Sequence, residues 1–453
     1  MTIEHRRGLV TLALIAAFMV FVDGTIVNLA LSQLGSHLHA SRPELEWAVN
    51  AYTLSFAAVM LGAGAITDIL GARRSFVTGL FVFTASSAVC AVAGSMPVLN
   101  LARLIQGVGS ALLLPSALVL ATAAAVDEQA RHRLVGRWAA AGGLGMAAGP
   151  LLGGVLVSVA GWRAVFAVNV VIGIPALVWS LRSMPNVPRR DRRLDFPGMA
   201  AATLLIGGLV FALIEGPSQG WGSPAVLVAI TLAGVGGLSF VIVERTARAP
   251  LLPLGIYADR VFTATAAQGA LFNFAFYGLL FAMSLMLQQA RGLSAIASGL
   301  LFLPLTGLIS VGTLCAAPMA QRLGRRTVLG LGQVALGVTF LAVAWASTAA
   351  SLWPLVVALL PAGLFSGVLV STMTAQSIAV VEPSLHGAAS SVFNTSRQVG
   401  SAIGVAVVGP LLGTAHDIGH GFISCLIVGA AAIALTSALT LFAPRVPAKA
   451  QLA

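Results

Sequence analysis

From Gly8 to Phe442 the chain alternates long apolar stretches with short polar ones. About fourteen of these stretches reach the roughly 20 residues that a helix needs to cross the hydrocarbon of a bilayer. Their approximate limits are Gly8–Leu31, Trp47–Ile66, Ser75–Ala93, Val98–Ala121, Leu134–Val159, Ala164–Leu181 and Pro197–Glu215. The second seven are Ala225–Val243, Val261–Gln288, Ala297–Ala317, Val328–Ala346, Leu352–Val380, Val392–Thr414 and Phe422–Phe442. Backbone amides in hydrocarbon have no water to bond, so runs of this length close their hydrogen bonds internally as helices. The pattern predicts an all-α membrane protein of about 14 spans.

Composition agrees. Hydrophobic residues make up 58% of the chain and charged ones 9%, with a mean hydropathy of +0.97. Soluble domains carry roughly a quarter charged residues. The net charge of +11 is no nucleic-acid footprint, because the arginines fall in short clusters between apolar runs rather than along one aromatic-laced stripe. With the N-terminus in the cytoplasm, the outer loops hold only Arg42, Arg163 and Arg291, and Arg103 and Arg397 fall within spans or at their edges. All other basic residues face inward, including Arg189, Arg190, Arg192 and Arg193 and the C-terminal Arg445 and Lys449. That alternation obeys the positive-inside rule and predicts two cytoplasmic termini. The leading run behind Arg6 and Arg7 is too long for a signal peptide and reads as a retained first span.

Two stretches repeat. Gly64-Ala-Ile-Thr-Asp68-Ile-Leu-Gly71-Ala-Arg73-Arg74 joins spans two and three, and Ala317-Pro-Met-Ala-Gln321-Arg322-Leu-Gly324-Arg325-Arg326 joins spans ten and eleven. Span five carries Gly145, Gly149, Pro150, Gly153 and Gly154; span thirteen carries Gly400, Gly404, Gly409, Pro410 and Gly413. Features recurring eight spans apart predict a six-helix half (1–183), a basic loop with two inserted spans (184–249) and a second six-helix half with a short tail (250–453), a parallel repeat of the kind found in secondary transporters.

In their order these residues resemble the major facilitator superfamily, and within it the fourteen-span drug:proton antiporters of the EmrB/QacA type. Asp23-Gly-Thr25-Ile-Val-Asn28-Leu-Ala30 resembles that family's first-helix signature, with Ser32 where proline is usual. The Gly64–Arg74 loop resembles the superfamily's inter-helix motif, with Ile69 where a basic residue is expected. Arg103-Leu-Ile-Gln106-Gly107-Val-Gly109 resembles the span-four arginine motif, and Gly145-Met-Ala-Ala-Gly149-Pro150-Leu-Leu-Gly153-Gly154 the span-five antiporter motif. Gly161-Trp162-Arg163, with Phe166 and Asn169, and Asp195-Phe-Pro-Gly198 leading to Glu215 and Trp221, also fit the fourteen-span branch. The resemblance implies a proton-coupled exporter of small amphipathic compounds (a drug, antibiotic or toxic metabolite) in the bacterial cytoplasmic membrane. It is expected to act as a monomer, with the proton gradient in place of a cofactor and no nucleic-acid partner.

Among the 14 acidic residues, Asp23 is the one placed well inside an expected span. A carboxylate there costs several kcal/mol unless it is protonated, paired or hydrated, which makes it a functional candidate. Arg103 is its expected partner. At 1.5 Å per residue the two lie about 12 Å and about 8 Å deep from the same membrane face, and the resemblance places spans one and four around one central cavity. The alternative is a permanent structural ion pair. Small residues spaced four apart in span five predict close helix packing, since lipid supplies no hydrophobic drive between helices. Gly64, Asp68, Gly71, Arg73 and Arg74, with Arg322, Gly324, Arg325 and Arg326, are expected to form a cytoplasmic latch, or else to be topology charges alone. Asn28, Trp47, Asn50, Tyr52, Gln106, Gln268, Phe272, Asn273, Phe276, Tyr277, Met373 and Gln376 are the candidate substrate wall, a mix suited to variable, mostly apolar ligands.

Several chemistries fall away. No phosphate-binding Gly-x-x-x-x-Gly-Lys-Ser/Thr loop is present, and Gly330-Leu-Gly332 sits inside an apolar span. Cys90, Cys315 and Cys425, and His37, His39, His416 and His420, lack metal-ligand spacing, so no metal site and no enzyme are expected. Two further readings stay open: a proton symporter that imports a metabolite, and a membrane sensor or scaffold. The span-five motif weighs against the first, and the lack of a soluble output domain against the second.

Overall fold

The computed structural model describes residues 3–184, 194–247, 254–382, 385–413 and 418–442. The basic run Arg189–Arg193, His416, Arg445 and Lys449 lie outside the described residues. The expected first span is a rod of α1 (Ile3–Ile26), a 3-10 turn (Val27–Ala30) and α2 (Leu31–His37). Next come α3 (Arg42–Leu70), α4 (Ala72–Val92), α5 (Met96–Ala123), α6 (Glu128–Ala160) and α7 (Ala164–Ser183). The pair α8 (Phe196–Gln219) and α9 (Pro224–Thr246) precedes α10 (Arg260–Leu285), which runs on into a π turn (Met286–Ala290). The chain closes with α11 (Ala295–Leu323), α12 (Arg325–Ser347), α13 (Trp353–Ala379), α14 (His386–Leu411) and α15 (Ile418–Phe442).

Each expected span corresponds to one rod, and among the described residues thirteen rods are long and apolar enough to cross a membrane. The remaining one, α14, carries Asn394, Thr395, Ser396, Arg397 and Gln398 in its first half. Several ends run past the expected limits: the first rod spans Ile3–His37 rather than Gly8–Leu31, α3 starts at Arg42 rather than Trp47, α6 at Glu128 rather than Leu134 and α14 at His386 rather than Val392, and α11 ends at Leu323 rather than Ala317. Ser41 and Glu44 form a reciprocal cap at the start of α3, Ser41 N donating to Glu44 Oε2 at 2.8 Å. A polar first turn with this cap extends a helix beyond its apolar run. The rods keep large apolar side chains outward, with Val159 80%, Leu314 77% and Trp345 74% exposed, a surface that lipid solvates.

The proximal end of the molecule holds residues 3 and 442, and the distal end holds the turns near residues 40, 162 and 292. In the first bundle α5 packs on α3 and α4, α1 on α6, and α4 on α7. In the last, α10 packs on α14 and α15, α11 on α13, and α12 on α13 and α15. Helices α8 and α9 pack on each other, with α8 also resting on α3 and α14. The bundles meet along two seams, α6 with α11 and α3 with α14.

Glycine sets the closeness of these contacts. A Cβ added at Gly145 would lie 2.6 Å from the Phe18 carbonyl oxygen, and at Gly153 2.8 Å from that of Ile26; Gly149 presses on Thr25. One face of α6 is thus moulded to α1. Gly400 and Gly404 press α14 onto Ala270 and Phe274 of α10 in the same way. The neighbouring face of α6 turns to the other bundle: a Cβ at Gly154 would lie 2.6 Å from Ala295 O and 3.2 Å from Gly299 Cα. Gly409 of α14 likewise meets Glu46 of α3. The distal parts of both seams are closed; Arg42 donating to Gly413 O at 3.1 Å ties the second further, and Ser284 of α10 donating to Asn28 O of the first rod at 2.5 Å joins the bundles between them.

Candidate functional site

The first-bundle core encloses a charged cluster. Asp23 of α1 and Arg103 of α5 are 0% and 1% exposed, and Arg103 Nη1 donates to Asp23 Oδ2 at 2.5 Å. Two amides complete the carboxylate's shell: Gln106 Nε2 at 2.9 Å and Asn169 Nδ2 of α7 at 2.7 Å, both donating to Oδ1. Arg103 is held from other sides too. Its Nε donates to Ala48 O at 2.9 Å, and its guanidinium sits 4.3 Å above the Tyr52 ring, whose hydroxyl donates to Val20 O. Gln106 also donates to Ser87 Oγ at 2.8 Å. Arg103 and Gln106 stand three residues apart on one face of α5, which lets one helix supply both groups. A buried ion pair fully supplied with hydrogen bonds is the form in which two charges persist away from water.

A narrow pocket lies between the bundles. Phe272, Asn273, Phe276 and Tyr277 of α10 form one wall; Ile309, Ser366, Val370, Arg397 and, from the first bundle, Met146 close it. Phe272 and Phe276 stack with ring centroids 5.7 Å apart. Asp23 does not line this pocket, but the two places share a seam: Thr25, two residues on from Asp23, donates to Met146 O at 3.3 Å.

The other candidate wall residues go elsewhere. Trp47 Nε1 donates to Glu215 of α8 at 2.9 Å. Gln268 Nε2 donates to Thr440 of α15 and Gln376 Nε2 to Thr265 of α10, both at 2.9 Å, so each closes a seam inside the last bundle. Met373 is buried on α13 away from the pocket lining. Asn28 binds Thr25 O and accepts Ser284 at the distal closure. Asn50 is fully buried, with both amide atoms unpartnered. A period of 3.6 residues puts four apart on one face, so Asn50 shares the face of Glu46 toward α14.

The two loop repeats adopt matching backbone turns. Gly71 (φ 84°) and Gly324 (φ 81°) each take the positive φ that starts the next helix. Arg73 then donates to Leu181 O at the end of α7, and Arg326 to Leu441 O at the end of α15. In both bundles the arginine thus meets the negative end of a helix of its own bundle. Arg74 and Arg322 are exposed, and Gly64, Asp68 and Arg325 are partly buried.

Three functional-looking groups carry signals that an acid-by-acid reading of the sequence passes over. Asn169 appears there only as part of a motif, yet it is a direct partner of Asp23. Glu46, placed in a loop when span two starts at Trp47, is in fact inside α3, 1% exposed, with Oε2 unpartnered; the Ser41-x-x-Glu44 pattern is the signal that would extend the helix over it. Arg397, a cation in the polar first half of α14, stands at the pocket.

The sequence profile described as Major Facilitator Superfamily matches residues 13–404 and 265–453. The chain is 36% identical over 426 residues to a methylenomycin A resistance protein of Bacillus subtilis (strain 168), covering 93% of this chain and 91% of that one. It is 32% identical over 413 residues to the multidrug resistance protein Stp of Mycobacterium tuberculosis (strain CDC 1551 / Oshkosh), covering 90% and 76%. In three dimensions it resembles the crystal structure of a bacterial homologue of the human lysosomal transporter Spinster, in an inward-facing and unoccupied conformation. That match has a TM-score of 0.70 at 15% identity and covers 99% of this chain and 100% of the other. With the profile spanning nearly the whole chain and the fold in agreement, this multi-pass protein of the cytoplasmic membrane belongs to the Major Facilitator Superfamily, a family of transporters and not of enzymes.

Proposed function

We propose that the chain is a proton-driven exporter of small drug-like compounds, of the fourteen-span antiporter branch, working by alternating access between its bundles. The observation that carries this is the Asp23 cluster: a carboxylate without solvent access, held by Arg103, Gln106 and Asn169. Relatives named for resistance to methylenomycin A and to multiple drugs support an outward direction and a drug-like substrate. The positive-inside rule puts the arginine-rich proximal end, with both termini, in the cytoplasm. Residues 1–183 and 250–453 act as the rocking units, with 184–249 as a lateral insert.

With the distal, outward end closed, Asp23 is ionised and paired. Opening that end parts α5 from α1, frees the carboxylate of its arginine and lets it take a proton from outside. Substrate leaves by the same opening. On return to the closed state Arg103 displaces the proton toward the cytoplasm. At a potential of about 150 mV one inward proton delivers roughly 3.5 kcal/mol, enough for a substrate gradient of a few hundredfold.

The test uses purified carrier in liposomes with methylenomycin A as the first compound offered. An imposed proton gradient should drive its movement opposite to the proton, and Asp23→Asn should abolish that drive. Movement in the same direction as the proton, or an unaltered rate in Asp23→Asn, would overturn the proposal.

A further inference from the structure

Among the described residues, Arg103 of α5 and Arg397 of α14 both turn toward the interior, and only Arg103 has a counter-charge. Arg103 is neutralised by Asp23. Arg397, on α14, has no carboxylate within 4 Å among the described residues. What faces it is uncharged: Asn273 Oδ1, 3.3 Å from its Nε, the Phe393 ring at 5.9 Å, Ser366 across the pocket and Tyr277 beside it. A guanidinium does not shed its proton in proteins, so a full positive charge borders the cavity in this state. An uncompensated ion in a span is costly, and such residues face a ligand path or a partner. The stacked Phe272 and Phe276 give the same cavity an apolar side.

We infer that the cavity takes a small amphipathic anion, a carboxylate attached to a compact apolar body, with Arg397 as its charge anchor and Asn273 and Ser366 as neighbouring polar contacts. The body lies along Phe272 and Phe276. The carboxylate meets the guanidinium fork, a geometry in which two parallel N–H bonds can form. The pocket is narrow in this closed state, so the anion enters as the seam between the bundles opens, and the lining of one narrow space by both rings and Arg397 favours a compact compound. Organic cations, the usual reporters of multidrug export, meet a like charge and are excluded.

This inference rests on the pocket being the exporter's substrate site, and its test needs no proton gradient. Binding of 2-naphthoate, 2-naphthamide and 2-naphthylmethylammonium to the purified carrier is measured by calorimetry near neutral pH. The three share one apolar body and differ in charge. The carboxylate should bind at least about tenfold more tightly than the amide, the scale of one charge-assisted hydrogen bond, and the ammonium should bind least. Arg397→Gln should bring the carboxylate to the level of the amide. Asn273→Asp, nearly isosteric, puts an acid against Arg397 without creating a cavity and should do the same, which keeps the test decisive if Arg397→Gln does not fold. Equal affinity for carboxylate and amide, tighter ammonium binding, no carboxylate binding, or unchanged carboxylate affinity in Asn273→Asp would each overturn the inference. A carrier that binds the carboxylate but shows no proton antiport would sink the proposed function and leave this inference standing.

Discussion

Asp23→Asn changes little volume, yet it places a donor where three donors already point. The wild-type carboxylate accepts from Arg103, Gln106 and Asn169. An asparagine offers one oxygen and an NH₂ group, so at least one of those donors faces another donor, and Arg103 keeps its charge in a site 1% exposed. Breaking a buried ion pair from one side costs about 3–5 kcal/mol, mostly the penalty of the orphaned partner. Arg103→Gln orphans the carboxylate instead and should cost a similar amount, with the Ala48 carbonyl losing its donor as well. The double variant removes both charges together. Its cost should therefore fall short of the sum of the singles by roughly 2–3 kcal/mol, the upper part of the range for contacting pairs. Reversible unfolding in mixed micelles, measured for the wild type and all three variants, gives this coupling directly. Costs that add to within about 0.5 kcal/mol would mean that the charges do not sense one another, and the claim that Asp23 and Arg103 exchange a proton for a salt bridge would fail. A transport counterpart follows from the same cluster: Asp23→Asn should retain substrate-for-substrate exchange while losing acceleration by a proton gradient.

Gly154→Leu drives a side chain into Ala295 O and Gly299 Cα, so it should hold the distal seam open. A cysteine at Ser158, whose hydroxyl accepts Ile296 N, should then react faster with a membrane-impermeant maleimide, and an unchanged rate would count against the seam as a gate. Glu46→Gln should leave thermal stability equal or higher, because the buried Oε2 has no donor to lose and an amide is cheaper to bury than an ionisable acid. A loss of more than about 2 kcal/mol, the cost of orphaning a hydrogen-bonded group, would reveal a partnered carboxylate. Export of a monoanion against one proton moves two positive charges inward per cycle, worth about 7 kcal/mol at 150 mV against about 3.5 for a neutral compound. Transport in liposomes should therefore steepen with an imposed potential more for 2-naphthoate than for 2-naphthamide, and equal slopes would contradict the charge assigned to the substrate.

The rods were legible because lipid enforces one local rule on every residue: a long apolar run has to become a helix. The same rule hides what the rods do to one another. In soluble proteins an apolar stripe tells which face turns inward, but a span is apolar on its lipid side too, and α15 and α1 show nearly no preference for a face. Only residues that break the uniformity carry directional information. Gly145, Gly149 and Gly153 did so, and they mould α6 to α1. Asp23 and Arg103 did so, and the structure sets them 2.5 Å apart. Trp47, Gln268 and Gln376 stood out by polarity as well, but an amide or indole inside a membrane needs a hydrogen bond wherever it lies, and theirs are satisfied within helix seams away from the pocket.

That distinction bears on how charge should be read in such a chain. A polar amide in a span is satisfied by any neighbour with a lone pair, so its presence says little about ligands. A full charge demands an opposite charge, water or a ligand, and the demand applies to cations as it does to acids. In the first bundle Asp23 is answered by Arg103. Arg397, on α14 and against the pocket, has no such answer among the described residues. The two bundles therefore differ by one carboxylate at their centres. The first is neutral and sealed, as suits a site whose only cargo is a proton. The last is cationic and bordered by a cavity, a charge that the protein's described residues leave for something else to meet.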